Sequence, residues 1–148
     1  SLSAPSAFVL SRQGLEVLAQ TKEQDISKGA YLLKTTDNPV ITIAASGSEV
    51  HIACAAAIVL AEKGIMANIV SVPCFDLFVE AGEAYQKSLF GATKVLAVEA
   101  ASASEWYRFA DDVVCMERFG ASGKDTLLFE RFGFTAENVA ARAEKLLG

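Results

Sequence analysis

Arg12 stands in the tripeptide Ser11-Arg12-Gln13, directly after the apolar run Ala7-Phe8-Val9-Leu10. An arginine just beyond a buried strand has its stem held by the fold and its fork facing the strand end, which suits bidentate binding of a phosphate. On spacing alone, a structural ion pair is the other reading open at Arg12. Ser46-Gly47-Ser48 leaves one strand signal and opens a helix, where free backbone N–H groups attract anions. Nucleotide loops usually carry several glycines and this turn has one, so a capped tight turn competes there with a phosphate or sulfate site. His51, the only histidine, has no acid at triad-like spacing and reads as a surface or capping residue. Glu99 ends a strand signal at the sheet edge where α/β proteins bind ligands. There it either faces the crevice or accepts from the N–H groups of a neighbouring loop. The segment Phe119-Gly120-Ala121-Ser122-Gly123-Lys124 fails as a phosphate loop, because Asp125 follows the lysine and the glycines are wrongly spaced. It reads as a flexible loop before a helical run over 126–132. Phe129, Phe132 and Phe134 then read as core residues.

Composition limits what these residues can belong to. A chain of 148 residues with 52% hydrophobic content has the size and apolar surface of one ordinary domain. With 13 basic against 18 acidic residues, for a net charge of −5, it shows no basic patch of the kind nucleic acid or anionic lipid requires. The three cysteines, Cys54, Cys74 and Cys115, are odd in number, lie in apolar surroundings and lack metal-ligand spacing. They read as reduced thiols of a cytoplasmic protein. The longest apolar run, 52–61, is half the length needed to span a bilayer, and no charged segment precedes an apolar one at the N-terminus.

The elements that must position these residues alternate along the chain. Strand signals fall at 30–33, 40–45, 68–72 and 95–98, with a weaker one at 113–115. Asn38-Pro39 makes a turn that predicts antiparallel pairing of the first two strands, whereas the second and third, separated by a helix, should be parallel. The helix over 49–63 has the spacing of a capping box in Ser46-Gly47-Ser48-Glu49, and Gly64 sits where a left-handed C-terminal cap is wanted. Its apolar residues recur at three- and four-residue spacing, and its many alanines allow close approach to a sheet. A last helix starts from Thr135 as N-cap, with the stripe Val139, Ala143, Leu146 and Leu147 turned to the sheet. Right-handed crossovers then predict an α/β fold, a three-layer α/β/α sandwich with a mixed, mostly parallel five-stranded sheet. The opening strand 7–10 has no partner close behind it, and the polar stretch 14–28 reads as a surface linker. The chain therefore reads as cut from something larger.

Five blocks carry a resemblance: Ser11-Arg12-Gln13, Ser46-Gly47-Ser48-Glu49-Val50, the segment 70–78 that contains Val72-Pro73-Cys74-Phe75, Val98-Glu99-Ala100, and the segment 132–139 that opens Phe132-Gly133-Phe134-Thr135. In this order, across nearly the whole chain, they resemble the C-terminal part of the transketolases. The Ser-Arg-Gln and Phe-Gly-Phe-Thr blocks separate that family from its thiamine-dependent relatives, the dehydrogenase β subunits and deoxyxylulose-phosphate synthase.

The resemblance implies a homodimeric cytoplasmic transferase that moves a two-carbon ketol unit from a ketose phosphate to an aldose phosphate in the pentose phosphate pathway. It implies thiamine diphosphate and a divalent metal, Mg or Ca, bound between two earlier domains, and so no cofactor in this chain. It implies that residues 1–13 end the pyrimidine-binding domain, 14–27 form a linker and 28–148 form the third domain. Arg12 matches the family's sugar-phosphate ligand and is the one residue to which a substrate role carries over; no catalytic or metal ligand does. The fragment alone is expected to be inactive. The alternative from the residues themselves is an independent anion-binding or dimerisation module of a thiamine-diphosphate enzyme relative. Two departures, Ser122-Gly123-Lys124 for the common Ser-Ala-Pro and Cys74 for a common serine, leave the core assignment intact, and no regulatory or interface role is carried over to that loop.

Overall fold

Five strands, β1 (Tyr31–Lys34), β2 (Ile41–Ala45), β3 (Ala67–Ser71), β4 (Lys94–Glu99) and β5 (Asp112–Cys115), form one sheet in the order β1-β3-β2-β4-β5. This is a computed structural model, and it describes residues 5–11 and 13–148. The four strands β3, β2, β4 and β5 run parallel, and β1 lies antiparallel against β3 at one edge. Every residue of Ile41–Ala45 is buried. A central parallel strand covered on both faces has no polar side to present, so it reads as an apolar run rather than an alternating one, broken here only by Thr42, whose hydroxyl pairs with that of Thr93 at 2.7 Å.

Two layers of helix provide that cover. On one face lie α1 (Glu49–Glu62) and α5 (Ala136–Leu147), whose Ala53, Ala56, Ala57, Leu60, Val139, Ala140 and Ala143 pack with Ile43, Ile69 and Leu96. On the other lie α2 (Phe75–Glu80), α3 (Glu83–Phe90) and a single helical turn, Trp106–Arg108. This second face is aromatic. Phe78 meets Phe90 edge-on at 5.8 Å and Phe109 at 5.0 Å, and Phe75 meets Trp106 edge-on at 4.8 Å. The remaining helix, α4 (Asp125–Arg131), sets Phe129 against the α1–α5 core.

The helix ends show which local signals prevailed. Gly64, at φ +76°, donates its N–H to Ala61 O at 2.9 Å, and Ile65 donates to Leu60 O at 3.0 Å, the paired bonds of a left-handed helix stop. Thr135 Oγ1 accepts the Asn138 N–H at 3.2 Å, as an N-cap should. The stripe of α5 runs through Ala140 instead of Leu147, which is 37% exposed.

One expectation of pairing is corrected. β1 pairs with β3 rather than with β2, because the segment after it crosses β3 instead of folding back as a hairpin. Thr36 donates its N–H to Asn68 Oδ1 at 3.0 Å and Val40 donates to Met66 O at 3.0 Å, which fixes the connection over β3 before β2 enters the sheet. Residues 7–10, read as a strand without a nearby partner, form no strand within this chain, and Phe8, Val9 and Leu10 are 81–96% exposed. No sheet edge among the described residues pairs with them. The linker stretch is irregular apart from one helical turn, Ala19–Thr21, with Leu18 against the core.

Candidate functional site at the carboxyl edge of the sheet

The parallel strands end together, and the loops that leave them bring Ser46, Ser48, Glu49, Glu99 and Trp106 to one edge. The hydroxyl of Ser46 donates to Glu99 Oε2 at 2.9 Å, and the indole N–H of Trp106 donates to the same oxygen at 3.0 Å. Glu99, half-buried at the end of β4, thus accepts from side-chain donors of two segments rather than from the backbone N–H groups that one reading gave it. The capping box is also corrected. Ser48 is the N-cap and makes no side-chain capping bond, while its hydroxyl donates to Glu49 Oε1. A partner 53 residues away has taken the Ser46 hydroxyl that the local spacing assigned to the helix end.

Glu49 is the residue sequence reasoning missed as a site candidate. It is only 5% exposed, and burial pushes its carboxyl above the ordinary 4.5, against the pull of the Ser48 hydroxyl and with the Glu99 charge adding to the rise. Two carboxyl groups at the N-terminus of α1 oppose the binding of an anion at Ser46-Gly47-Ser48. Because folding favours the protonated acid, the stability contributed by Glu49 is complete below pH 4.5 and is lost as pH rises through its raised folded value. In urea titrations, the stability of the native chain relative to Glu49→Gln should fall as pH rises from 4.5 to neutrality. A pH-independent difference would mean that Glu49 is solvated.

The other candidates are dispersed. Arg12 lies outside the described residues. His51 is half-buried and shares a largely apolar cleft of about 230 Å³ with Leu15, Phe129 and Asp125, yet no hydrogen bond joins His51 to Asp125 among the described residues. Phe119 is 99% exposed in the irregular loop before α4, and Phe134 is buried with Phe129 and Phe132 half-buried around it. The three cysteines are free, and burial pushes the thiols of Cys54 and Cys115 up, away from nucleophilic thiolate. Trp106, 1% exposed, was silent in the sequence except as the one tryptophan of the chain.

Fold and edge together define a three-layer α/β domain whose polar residues at the strand ends are tied to one another. The chain belongs to the transketolase-like C-terminal domain family, whose model matches residues 29–135. It is 43% identical to a transketolase of Kluyveromyces lactis over 142 residues, covering 95% of this chain and 21% of that protein. It is 41% identical to transketolase 1 of Escherichia coli over 151 residues, covering 97% of this chain and 23% of that protein. The crystal structure of a Pichia stipitis transketolase in complex with xylulose-5-phosphate superposes with a TM-score of 0.87 at 39% identity, over 92% of this chain and 20% of that one. A split-gene transketolase, described as an inactive β4 tetramer, matches with a TM-score of 0.60 at 25% identity, over 90% of this chain and 46% of that one. The chain spans about a fifth of the length of the curated relatives it matches.

Proposed function

We propose that this chain is the C-terminal part of a homodimeric cytoplasmic transketolase, which transfers a two-carbon ketol unit from a ketose phosphate to an aldose phosphate in the pentose phosphate pathway. The observation that carries the reading is identity of 43% and 41%, over almost the whole chain, to proteins that are transketolases. The sugar phosphate bound by the Pichia stipitis relative supports the substrate class. The inactive tetramer of the split-gene relative supports inactivity of the C-terminal part by itself.

Residues 28–148 are the third domain in this reading, 14–27 the linker and 1–13 the end of the pyrimidine-binding domain. The start of the family match at residue 29 supports the first boundary. The exposure of Phe8, Val9 and Leu10 supports the last, since three consecutive apolar residues in water are what a strand leaves when its sheet is elsewhere. No helix among the described residues is long and apolar enough to cross a membrane.

Thiamine diphosphate supplies the carbanion chemistry of such an enzyme, with Mg or Ca holding its diphosphate. The described residues do not fit that group: none of their His, Cys, Asp and Glu form a cluster of three or more able to hold a metal. The carboxylates at the strand ends are bonded to Ser46, Ser48 and Trp106. In this reading the cofactor is held by the preceding domains. What this chain contributes to substrate binding is Arg12, as the ligand of the sugar phosphate. Arg12→Ala, introduced where this chain replaces the C-terminal fifth of the Kluyveromyces lactis enzyme, should raise KM for phosphorylated sugars by about 10- to 100-fold with kcat little changed. That corresponds to loss of a charge-assisted contact of about 1.5–3 kcal/mol. An unchanged KM would remove Arg12 from the site.

A further inference from the structure

Three of the five arginines of this acidic chain gather at one cleft far along the sequence from Arg12. The cleft, of about 340 Å³, lies beside the edge strand β5 and is lined by Arg118 from the loop after β5, Arg131 from the end of α4, and Arg142 from α5. Arg142 is fixed by Asp112, with its Nη2 donating to Asp112 Oδ1 at 2.8 Å and its Nε to Oδ2. Arg118 lies over the Phe132 ring with its guanidinium carbon 5.1 Å from the ring centre. Neither Arg118 nor Arg131 makes an ion pair among the described residues. Glu117 is the one acid in the lining and Asp112 is bonded to Arg142, so the lining itself keeps a positive excess in a chain of net charge −5.

We infer that this cleft binds the phosphate group of a small phosphorylated metabolite at a second site, separate from the substrate site proposed for Arg12. The forks arrive from three different elements. A planar carboxylate is matched by one or two forks in its plane, whereas a tetrahedral phosphate presents oxygens in several directions and takes guanidinium groups from more than one side. The stack on Phe132 and the bridge to Asp112 hold two of the three side chains in place before any ligand arrives, which lowers the ordering cost of binding. The volume lies within the range of pockets for small ligands, leaving room for a sugar-sized body beyond the phosphate. A site of this kind is independent of turnover and would make the domain responsive to the concentration of phosphorylated metabolites.

The test is an amide NMR titration of the 148-residue chain at fixed ionic strength with inorganic phosphate, glucose 6-phosphate and glucose. Expected are saturable shifts at residues 115–118 and 131–132 with both phosphates, tighter binding of glucose 6-phosphate, and no response to glucose. The exposed pair Arg118→Ala/Arg131→Ala should raise the dissociation constant at least about tenfold from the combined loss of two guanidinium contacts, while the rest of the spectrum is unchanged. The single variants R118A and R131A should each give part of that loss. The inference is overturned by absence of saturation in the millimolar range, by equal binding in the double variant, or by shifts confined to residues 46–48. None of these outcomes touches the assignment of the chain to a transketolase.

Discussion

Replacing Gly29 by alanine should destabilise the chain by about 3–5 kcal/mol, read as a drop in urea midpoint and a fall of about 10 °C in melting temperature. Gly29 enters β1 at φ +75°, a conformation that L side chains rarely adopt. Its carbonyl accepts the Cys74 N–H at 3.1 Å, so the loop leaving β3 is laid directly on it. A Cβ there would stand 2.2 Å from Cys74 O and 2.4 Å from Phe78 N, backbone atoms that cannot turn aside. The cost therefore combines left-handed strain, about 1–2 kcal/mol, with overpacking at the top of its usual range, about 2–3 kcal/mol, because the clashing atoms are backbone. Gly64→Ala is the matched control: Gly64 has nearly the same φ, +76°, but nothing within 4 Å, so only the strain should be seen. Equal losses in the two variants would show that crowding at the Cys74 loop contributes nothing.

Trp106→Ala should cost a similar amount, about 3–5 kcal/mol, because a buried aromatic of this size leaves a cavity that the fold can only partly close. The ring is 1% exposed and packs edge-on to Phe75. Its N–H is also one of two donors on Glu99 Oε2. Trp106→Phe keeps most of the packing and deletes that donor, so it should lose about 1.5–3 kcal/mol, the worth of a bond to a charged group. If the phenylalanine variant were as stable as the parent, the Ser46–Glu99–Trp106 connection would not be holding the strand ends together.

The two glycines and the tryptophan also mark how far sequence reading reached. Gly64 was legible because a helix stop is local: the residue that ends the apolar period is the one that takes the left-handed turn. The sheet strands were legible within a residue or two, since buried parallel strands are continuous apolar runs bounded by polar turns. Pairing was less so. Asn38-Pro39 announces a turn but says nothing about which neighbour the chain returns to, and it is the Asn68 side chain, far off in sequence, that draws the Thr36 N–H across β3.

At the carboxyl edge the same limit decided more. Ser46 and Glu49 have the spacing of a capping box, yet Glu99 took the serine and Ser48 took the glutamate. Glu99 was correctly singled out by its place at a strand end, but its partners come from two loops that only the folded sheet makes adjacent. The arginine cleft is an extreme case, since 118, 131 and 142 share no spacing that a linear reading would group. Recognition of the family drew instead on ordered blocks of residues, which survive where single contacts are invisible.

The central claim is that this chain completes a transketolase and has no transferase activity by itself. The direct measurement is ketol transfer from xylulose 5-phosphate to an aldose phosphate. It compares the isolated 148-residue chain with the Kluyveromyces lactis enzyme whose C-terminal fifth has been replaced by it. The account predicts no turnover and no saturable thiamine diphosphate binding for the isolated chain, and kcat within about tenfold of the parent for the graft, a barrier change of about 1.4 kcal/mol or less. Turnover by the isolated chain, or a folded, dimeric, cofactor-loaded graft at background rate, would contradict it.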